Sequence, residues 1–116
     1  SFRTQCEQEY GIHVELLSCN LLQECTGLID KGFKCNVVGR RRQDPNSATL
    51  KTIEPSGPDY PDYTRFFPVM SWTYALVWEF FKKFNVSFCN LYEHGYTSLG
   101  EIHNSRPNPA LLKEDG

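Results

Sequence analysis

Between Leu21 and Val38 the apolar side chains change period, and that change constrains the fold more than any other feature. Leu21, Leu22, Cys25, Leu28 and Ile29 form an amphipathic helical stripe, and Gly32 stops it. Phe33 to Val38 then reads as a strand that ends at Gly39. Upstream, Phe2, Cys6 and Tyr10 recur at four-residue spacing, with Gly11 placed as a C-terminal cap. Ile12 to Leu17 alternates apolar and polar residues, as a short strand would, and puts the polar edge of His13 outward. Helix, strand, helix, strand in that order predicts α/β architecture with a parallel sheet.

From Gly39 to Pro68 the character is different. Pro45, Pro55, Pro58, Pro61 and Pro68 punctuate it, with Gly57 and scattered charges between them. This predicts a long loop, and loops of that length inside a domain are usually functional or disordered. Thr73 is placed to cap a further helix, whose buried stripe would be Val77, Phe80, Phe81 and Phe84. Of Trp72 and Trp78, at least one is expected in the core. Val86 to Leu91 is expected to be extended, leading into a glycine-rich polar tail.

With 116 residues the chain is long enough for one domain, and its aromatic share of 14% marks it as globular. A net charge of −2 argues against a broad nucleic-acid or membrane footprint. No apolar run approaches the length of a membrane span. Cys6, Cys19, Cys25, Cys35 and Cys89 are odd in number and irregularly spaced, so neither a disulfide scaffold nor a zinc site is expected. His13, His94 and His103 add no ligand spacing, and Cys25 is expected to act as a small core residue. Reduced thiols point to a cytoplasmic location, with a mitochondrial one left open.

The chemistry concentrates in three places. First, Gly39-Arg40-Arg41-Arg42-Gln43-Asp44-Pro45 follows a predicted strand at once. In open α/β sheets ligands sit beyond the carboxyl ends of strands. Arginine pairs two phosphate oxygens through its planar fork, and Gly39 allows a sharp turn or a close approach. Asp44 either holds one guanidinium or assists a magnesium ion. Second, Asp59 to Arg65 offers Tyr60, Tyr63 and Arg65 in a proline-stiffened loop, suited to stacking on a flat ring and reaching a phosphate. Third, Cys89 to Gly100, with Asn104 to Pro109 after it, carries glycines and hydroxyls with little core; the segment from Gly95 to Gly100 lacks the Lys-Ser/Thr of a Walker loop.

In order, these pieces resemble eukaryotic FAD synthase. The Gly-x-Arg-x-x-Asp-Pro element of that family is matched by Gly39, Arg41, Asp44 and Pro45. Its Trp-Pro-x-x-x-Arg element is matched by Tyr60, Pro61 and Arg65, and its Pro-x-x-x-Trp-x-Tyr-x-x-x-Trp segment by Pro68, Trp72, Tyr74 and Trp78. Its Tyr-Cys-x-Leu-Tyr-x-x-Gly-Tyr-Thr-Ser-x-Gly signature is matched from Cys89 to Gly100, with Phe88 in place of the first tyrosine. The resemblance implies a Rossmann-like fold of the adenine nucleotide alpha-hydrolase type, related to the PAPS reductases. It implies transfer of AMP from ATP to FMN, with Mg²⁺ accompanying ATP. By carry-over, Arg41 and Asp44 are candidate catalytic residues, while Gly39, Arg42, Tyr60, Arg65, Tyr96, Thr97 and Ser98 are candidate nucleotide- and flavin-binding residues. No residue is assigned as a metal ligand.

The resemblance also implies parts that this sequence does not contain. The glycine-rich ATP loop is expected upstream of Ser1, and further substrate-binding arginines beyond Gly116. Residues 1–116 are therefore expected to be the C-terminal portion of one FAD synthase domain, partnered by an N-terminal region of the same protein. The acidic residue that the family places three positions before its Trp-Pro aromatic is Gly57 here. Two other functions compete: a non-catalytic flavin-binding or regulatory remnant, and a PAPS-reductase-like enzyme of sulfur metabolism.

Overall fold

A computed structural model describes residues 1–17 and 20–112, so Cys19 lies outside the described residues. The chain divides into two compact units: Glu15–Phe80, and Ser1–Val14 together with the chain from Phe81 onward.

In the first unit, helix α2 covers Leu21–Asp30; helix α1, Phe2–Tyr10, belongs to the other unit. Asn20 caps α2 by accepting from the Gln23 N–H at 3.0 Å, and Gly32 takes φ +96° just after its end. The sheet comprises β1 (Cys35–Val37), β2 (Ile53–Pro55) and β3 (Thr64–Phe66) in the order β1-β3-β2. β1 and β3 are parallel, as the helix–strand alternation predicts, whereas β2 runs antiparallel to β3.

The stretch from Gly39 to Pro68 is thus not one long loop. Two strands of three residues each interrupt it, too short to establish a visible alternation. Pro55 is tolerated in β2 because β2 is an edge strand. The strand predicted for Phe33 to Val38 is trimmed to Cys35–Val37, and Val38 continues the contact by donating to the Phe66 carbonyl at 2.9 Å.

Tyr63, Arg65 and Phe67 alternate onto one face of the sheet. Tyr63 and Phe67 are buried there, with Phe67 only 1% exposed, and Met70 adds to the same small core. Cys25 of α2 is buried as expected, and its Sγ shares a hydrogen bond with the Tyr63 hydroxyl at 3.7 Å. The opposite face remains open: Val37 is 64% exposed and Ile53 63%.

Helix α3, Tyr74–Phe84, starts where Thr73 is expected to cap it. Thr73 Oγ1 accepts from the Leu76 N–H at 3.1 Å, and its carbonyl accepts from the Val77 N–H. The predicted buried stripe is only partly realised: Val77 and Phe81 are half-buried, while Phe80 and Phe84 are exposed. Trp72 and Trp78 are each half-buried, with neither fully in a core.

In the other unit, α1 ends on Gly11 at φ +61°, which confirms the predicted cap. Ile12 to Leu17 forms no strand; the Val14 N–H instead donates to the Glu7 carboxylate at 3.0 Å. An alternating pattern needs a neighbouring strand to complete its backbone hydrogen bonds, and none pairs with it among the described residues. His13 is exposed beside Glu7, at 3.4 Å. The extension predicted through Leu91 stops at Cys89, because Asn90–His94 is a 3-10 helix closed by Gly95 at φ +83°. Among the described residues no helix is long and apolar enough to cross a membrane.

Candidate functional site

The loop that leaves the carboxyl end of β1 carries a compact polar constellation. Asp44 Oδ2 accepts from the Arg41 main-chain N–H at 2.7 Å, and Oδ1 accepts from Arg41 Nη2 at 3.0 Å. The Asp44 N–H in turn donates to the Arg41 carbonyl at 3.1 Å, so backbone and side chains close one compact ring. Pro45 and Asn46 at φ +59° turn the chain immediately afterwards. The two side chains keep 21% and 30% of their surface, so the pair is only partly desolvated. The ring of Tyr74 lies beneath the Arg41 guanidinium, with 5.7 Å from Cζ to the centroid.

Arg41 Nη1 is shielded from solvent and has no hydrogen-bond partner among the described residues. A buried donor left unsatisfied costs about 1–3 kcal/mol. Such a group calls for a partner from outside the described residues, and a cationic donor suits an oxyanion.

Arg42, a candidate for phosphate binding, makes contacts within its own loop. Its Nη1 donates to the carbonyls of Ser47, Ala48 and Leu50, and its main-chain N–H to Met70 at 2.8 Å. The guanidinium therefore braces the loop from 47 to 50, drawn there by carbonyls that would otherwise lack donors. Ser47 is buried in that loop, at 1% exposure, and its hydroxyl donates to the Pro45 carbonyl. Gly39 is the centre of a sharp turn, as expected, with the Arg40 N–H donating to the Val38 carbonyl at 2.9 Å. Its φ is not left-handed and a Cβ there would meet open space, so the turn does not require glycine; the room beside it is what remains relevant.

Arg65 is not in a loop but in the middle of β3, paired in register with Asn36 on one side and Glu54 on the other. Its Nε donates to the Pro55 carbonyl at 3.0 Å and its Cζ lies 5.7 Å from the Phe67 ring centroid. These contacts leave the two terminal nitrogens without partners among the described residues. Glu54 does not neutralise it; its Oε1 accepts from the Lys51 N–H at 2.7 Å.

Tyr60 sits in the connection between β2 and β3, with its N–H donating to the Gly57 carbonyl at 3.0 Å and its ring edge 3.7 Å from where a Gly57 Cβ would be. That connection lies at the amino end of β3, whereas Arg41 and Asp44 follow the carboxyl end of the parallel strand β1. The structure thus groups Arg41 with Asp44 and separates both from Tyr60 by the length of a strand, with Arg65 between.

Tyr96, Thr97 and Ser98 belong to the other unit. Thr97 and Ser98 line an open polar cleft of about 420 Å³ with Gly100, Asn104, Ser105 and Arg106, and Tyr96 is not in its wall. Ser105 Oγ accepts from the Gly100 N–H at 2.8 Å, which folds the tail back on itself. The Asn108 N–H donates to the Gly95 carbonyl at 2.8 Å and completes that return.

Among the described residues no group of three or more His, Cys, Asp or Glu could hold a metal ion. Asp44, the carboxylate nearest the arginines in sequence, has both oxygens engaged by Arg41. The arrangement can therefore receive a phosphate oxygen through a guanidinium.

The chain is similar to known proteins. The phosphoadenosine phosphosulfate reductase domain matches residues 21–107. A probable FAD synthase of Schizosaccharomyces pombe is 30% identical over 122 aligned residues, which cover 99% of this chain and 44% of that protein. The flavin adenine dinucleotide synthase of Saccharomyces cerevisiae is 40% identical over 78 residues, covering 67% of this chain and 26% of that protein. A crystal structure of Candida glabrata FMN adenylyltransferase, in complex with FMN and the ATP analogue AMPCPP, superposes with a TM-score of 0.86 at 29% identity. It covers 97% of this chain and 42% of that one. This chain thus spans less than half the length of these relatives. The match in sequence over most of its length and the agreement in fold place the chain in the phosphoadenosine phosphosulfate reductase domain family.

Proposed function

We propose that this chain carries the FMN-side part of an enzyme that transfers AMP from ATP to the phosphate of FMN and releases pyrophosphate. The observation that carries the reading is the unpaired Arg41 Nη1 beyond the carboxyl end of β1, on a guanidinium already oriented by Asp44. The Candida relative with FMN and an ATP analogue bound supports the choice of substrates.

The chemistry suits these residues. A phosphate monoester with a second pKa near 6 is largely dianionic at neutral pH, so its oxygen needs little general-base help. That oxygen attacks the α-phosphorus of ATP; the new P–O bond forms as the bond to the β-phosphate breaks, and pyrophosphate takes the electron pair. Two anions must approach each other, so catalysis rests mainly on offsetting charge. Arg41 supplies that offset as a fixed donor. Mg²⁺ accompanies ATP in this reading and would neutralise its phosphates, while Asp44 serves Arg41.

Arg65 reads the FMN phosphate through its free terminal nitrogens, and Tyr60, in the connection that precedes β3, lies against the flavin ring. Phosphate and ring are at opposite ends of FMN, which fits an arginine within β3 and a tyrosine in the connection before it. Thr97 and Ser98 contribute a substrate-binding wall in their own unit, with Tyr96 adjoining them in sequence. Gly39 leaves space for a ligand beside the β1 loop. The loop for the ATP phosphates comes from an N-terminal segment of the same protein, and the open apolar face around Val37 and Ile53 is surface that such a segment would cover.

The test is to incubate the full-length protein with FMN, Mg²⁺ and ATP labelled at the α-phosphate. Label recovered in FAD, with equimolar pyrophosphate, is the expected result. Residues 1–116 alone should give none. No labelled FAD, together with reduction of phosphoadenosine phosphosulfate to sulfite in a parallel incubation supplied with that substrate and a dithiol reductant, would replace this reading by sulfur chemistry.

A further inference from the structure

Arg41 is anchored at its base with unusual thoroughness. Its own N–H is held by Asp44, the next N–H by the Met70 carbonyl, and its carbonyl by the Asp44 N–H. What remains free is the long side chain, whose torsions would scatter the guanidinium over many positions. Asp44 Oδ1 fixes one edge of the fork through Nη2. A single hydrogen bond still permits the plane to rotate about it. The second restraint comes from far along the sequence: the Tyr74 ring at the first turn of α3, 5.7 Å from Cζ.

We propose that Tyr74 is a positioning residue for Arg41, its ring and the Asp44 carboxylate together orienting the guanidinium so that Nη1 is kept for a substrate oxyanion. The inference rests on the reading of Arg41 given above. A ring face restrains the guanidinium plane while accepting no hydrogen bond of its own, so it adds orientation without consuming a donor. A carboxylate in the same place would pair with Nη1 and block it. Tyr74 is itself held by an edge contact with Trp78 at 6.3 Å between centroids and by the Thr73 cap of its helix. It keeps 41% of its surface, so its chief contribution is not burial.

The experiment uses the full-length protein and steady-state adenylyl transfer to FMN. Tyr74→Leu should lower kcat about tenfold, the loss expected for a partly desolvated cation–π contact, with the KM for FMN changed less than about threefold. Tyr74→Phe keeps the ring and should recover most of the loss. In an Arg41→Lys background Tyr74→Leu should cost less than about twofold, because lysine has no fork for the ring to orient. Equal costs in both backgrounds, or Phe no better than Leu, would overturn the proposal. Melting temperatures are followed in parallel; should Tyr74→Leu unfold, Tyr74→Met fills more of the site without a ring and replaces it. Full turnover in Arg41→Lys with the native Tyr74 would overturn the reading of Arg41 itself, whereas a damaged Arg41→Lys with a fully active Tyr74→Leu overturns the positioning role alone.

Discussion

Asp44→Asn separates the two roles open to this carboxylate. In the structure its oxygens accept from the Arg41 N–H at 2.7 Å and from Nη2 at 3.0 Å. Asparagine keeps the shape but brings one acceptor and one donor. Whichever way the amide turns, one Arg41 donor loses its bond and faces another N–H. A hydrogen bond to a charged group contributes about 1.5–3 kcal/mol. Arg41 and Asp44 retain 21% and 30% of their surface, so water recovers part of the loss and the expected cost is about 1–2 kcal/mol. Turnover should fall further than stability, by about 10–100-fold, because a misaimed donor stabilises the transition state less than a fixed one. Urea unfolding with an unchanged slope gives the first quantity, and steady-state transfer to FMN gives the second. A titration with Mg²⁺ completes the test. Unchanged stability with a tenfold or greater rise in the Mg²⁺ needed for half-maximal rate would refute the reasoning and make Asp44 a metal ligand. Equal loss of stability and turnover would make the pair structural.

Arg65→Ala should weaken FMN binding about tenfold or more while changing riboflavin, which has no phosphate, less than about twofold; flavin-fluorescence titration decides, and a uniform loss would refute phosphate reading. Tyr60→Ala should weaken both flavins by about 0.5–1.5 kcal/mol in the same titration, as loss of an aromatic stacking contact. Phe67→Ala removes the most buried aromatic of the sheet face and should cost about 3–5 kcal/mol in urea unfolding, with a much smaller cost counting against that core. Burial, and then the hydrogen bond to Cys25, raise the Tyr63 pKa above its ordinary 10.0. The protonated phenol is favoured in the folded state, so this stability is complete below pH 10 and is lost as pH rises through the folded-state pKa. Urea midpoints on either side of pH 10 should show the decline, and Tyr63→Phe should flatten it.

Local physics accounts for what was legible in the residues alone. The caps at Gly11, Gly32 and Thr73 and the stripe from Leu21 to Ile29 need only neighbours within a turn or two, so α1, α2 and α3 can be read directly. The ring of Arg41 and Asp44 is equally local, two residues three apart beside a proline. Strands are different, because their hydrogen bonds lie in another segment. Ile12 to Leu17 has the alternation but no partner strand among the described residues, whereas Ile53–Pro55 and Thr64–Phe66 lack a visible pattern and become strands by pairing with each other and with β1. The half-exposed stripe of α3 reflects the same limit, since periodicity shows a face but not what covers it. At the site, only the tertiary structure decided which arginine is available. Arg41 and Arg42 are chemically identical neighbours, yet the carbonyls of Ser47, Ala48 and Leu50 take one and the Tyr74 ring orients the other. The carbonyls lie in the same loop, but the Tyr74 ring comes from the start of α3, and no spacing between adjacent arginines records which of them it meets.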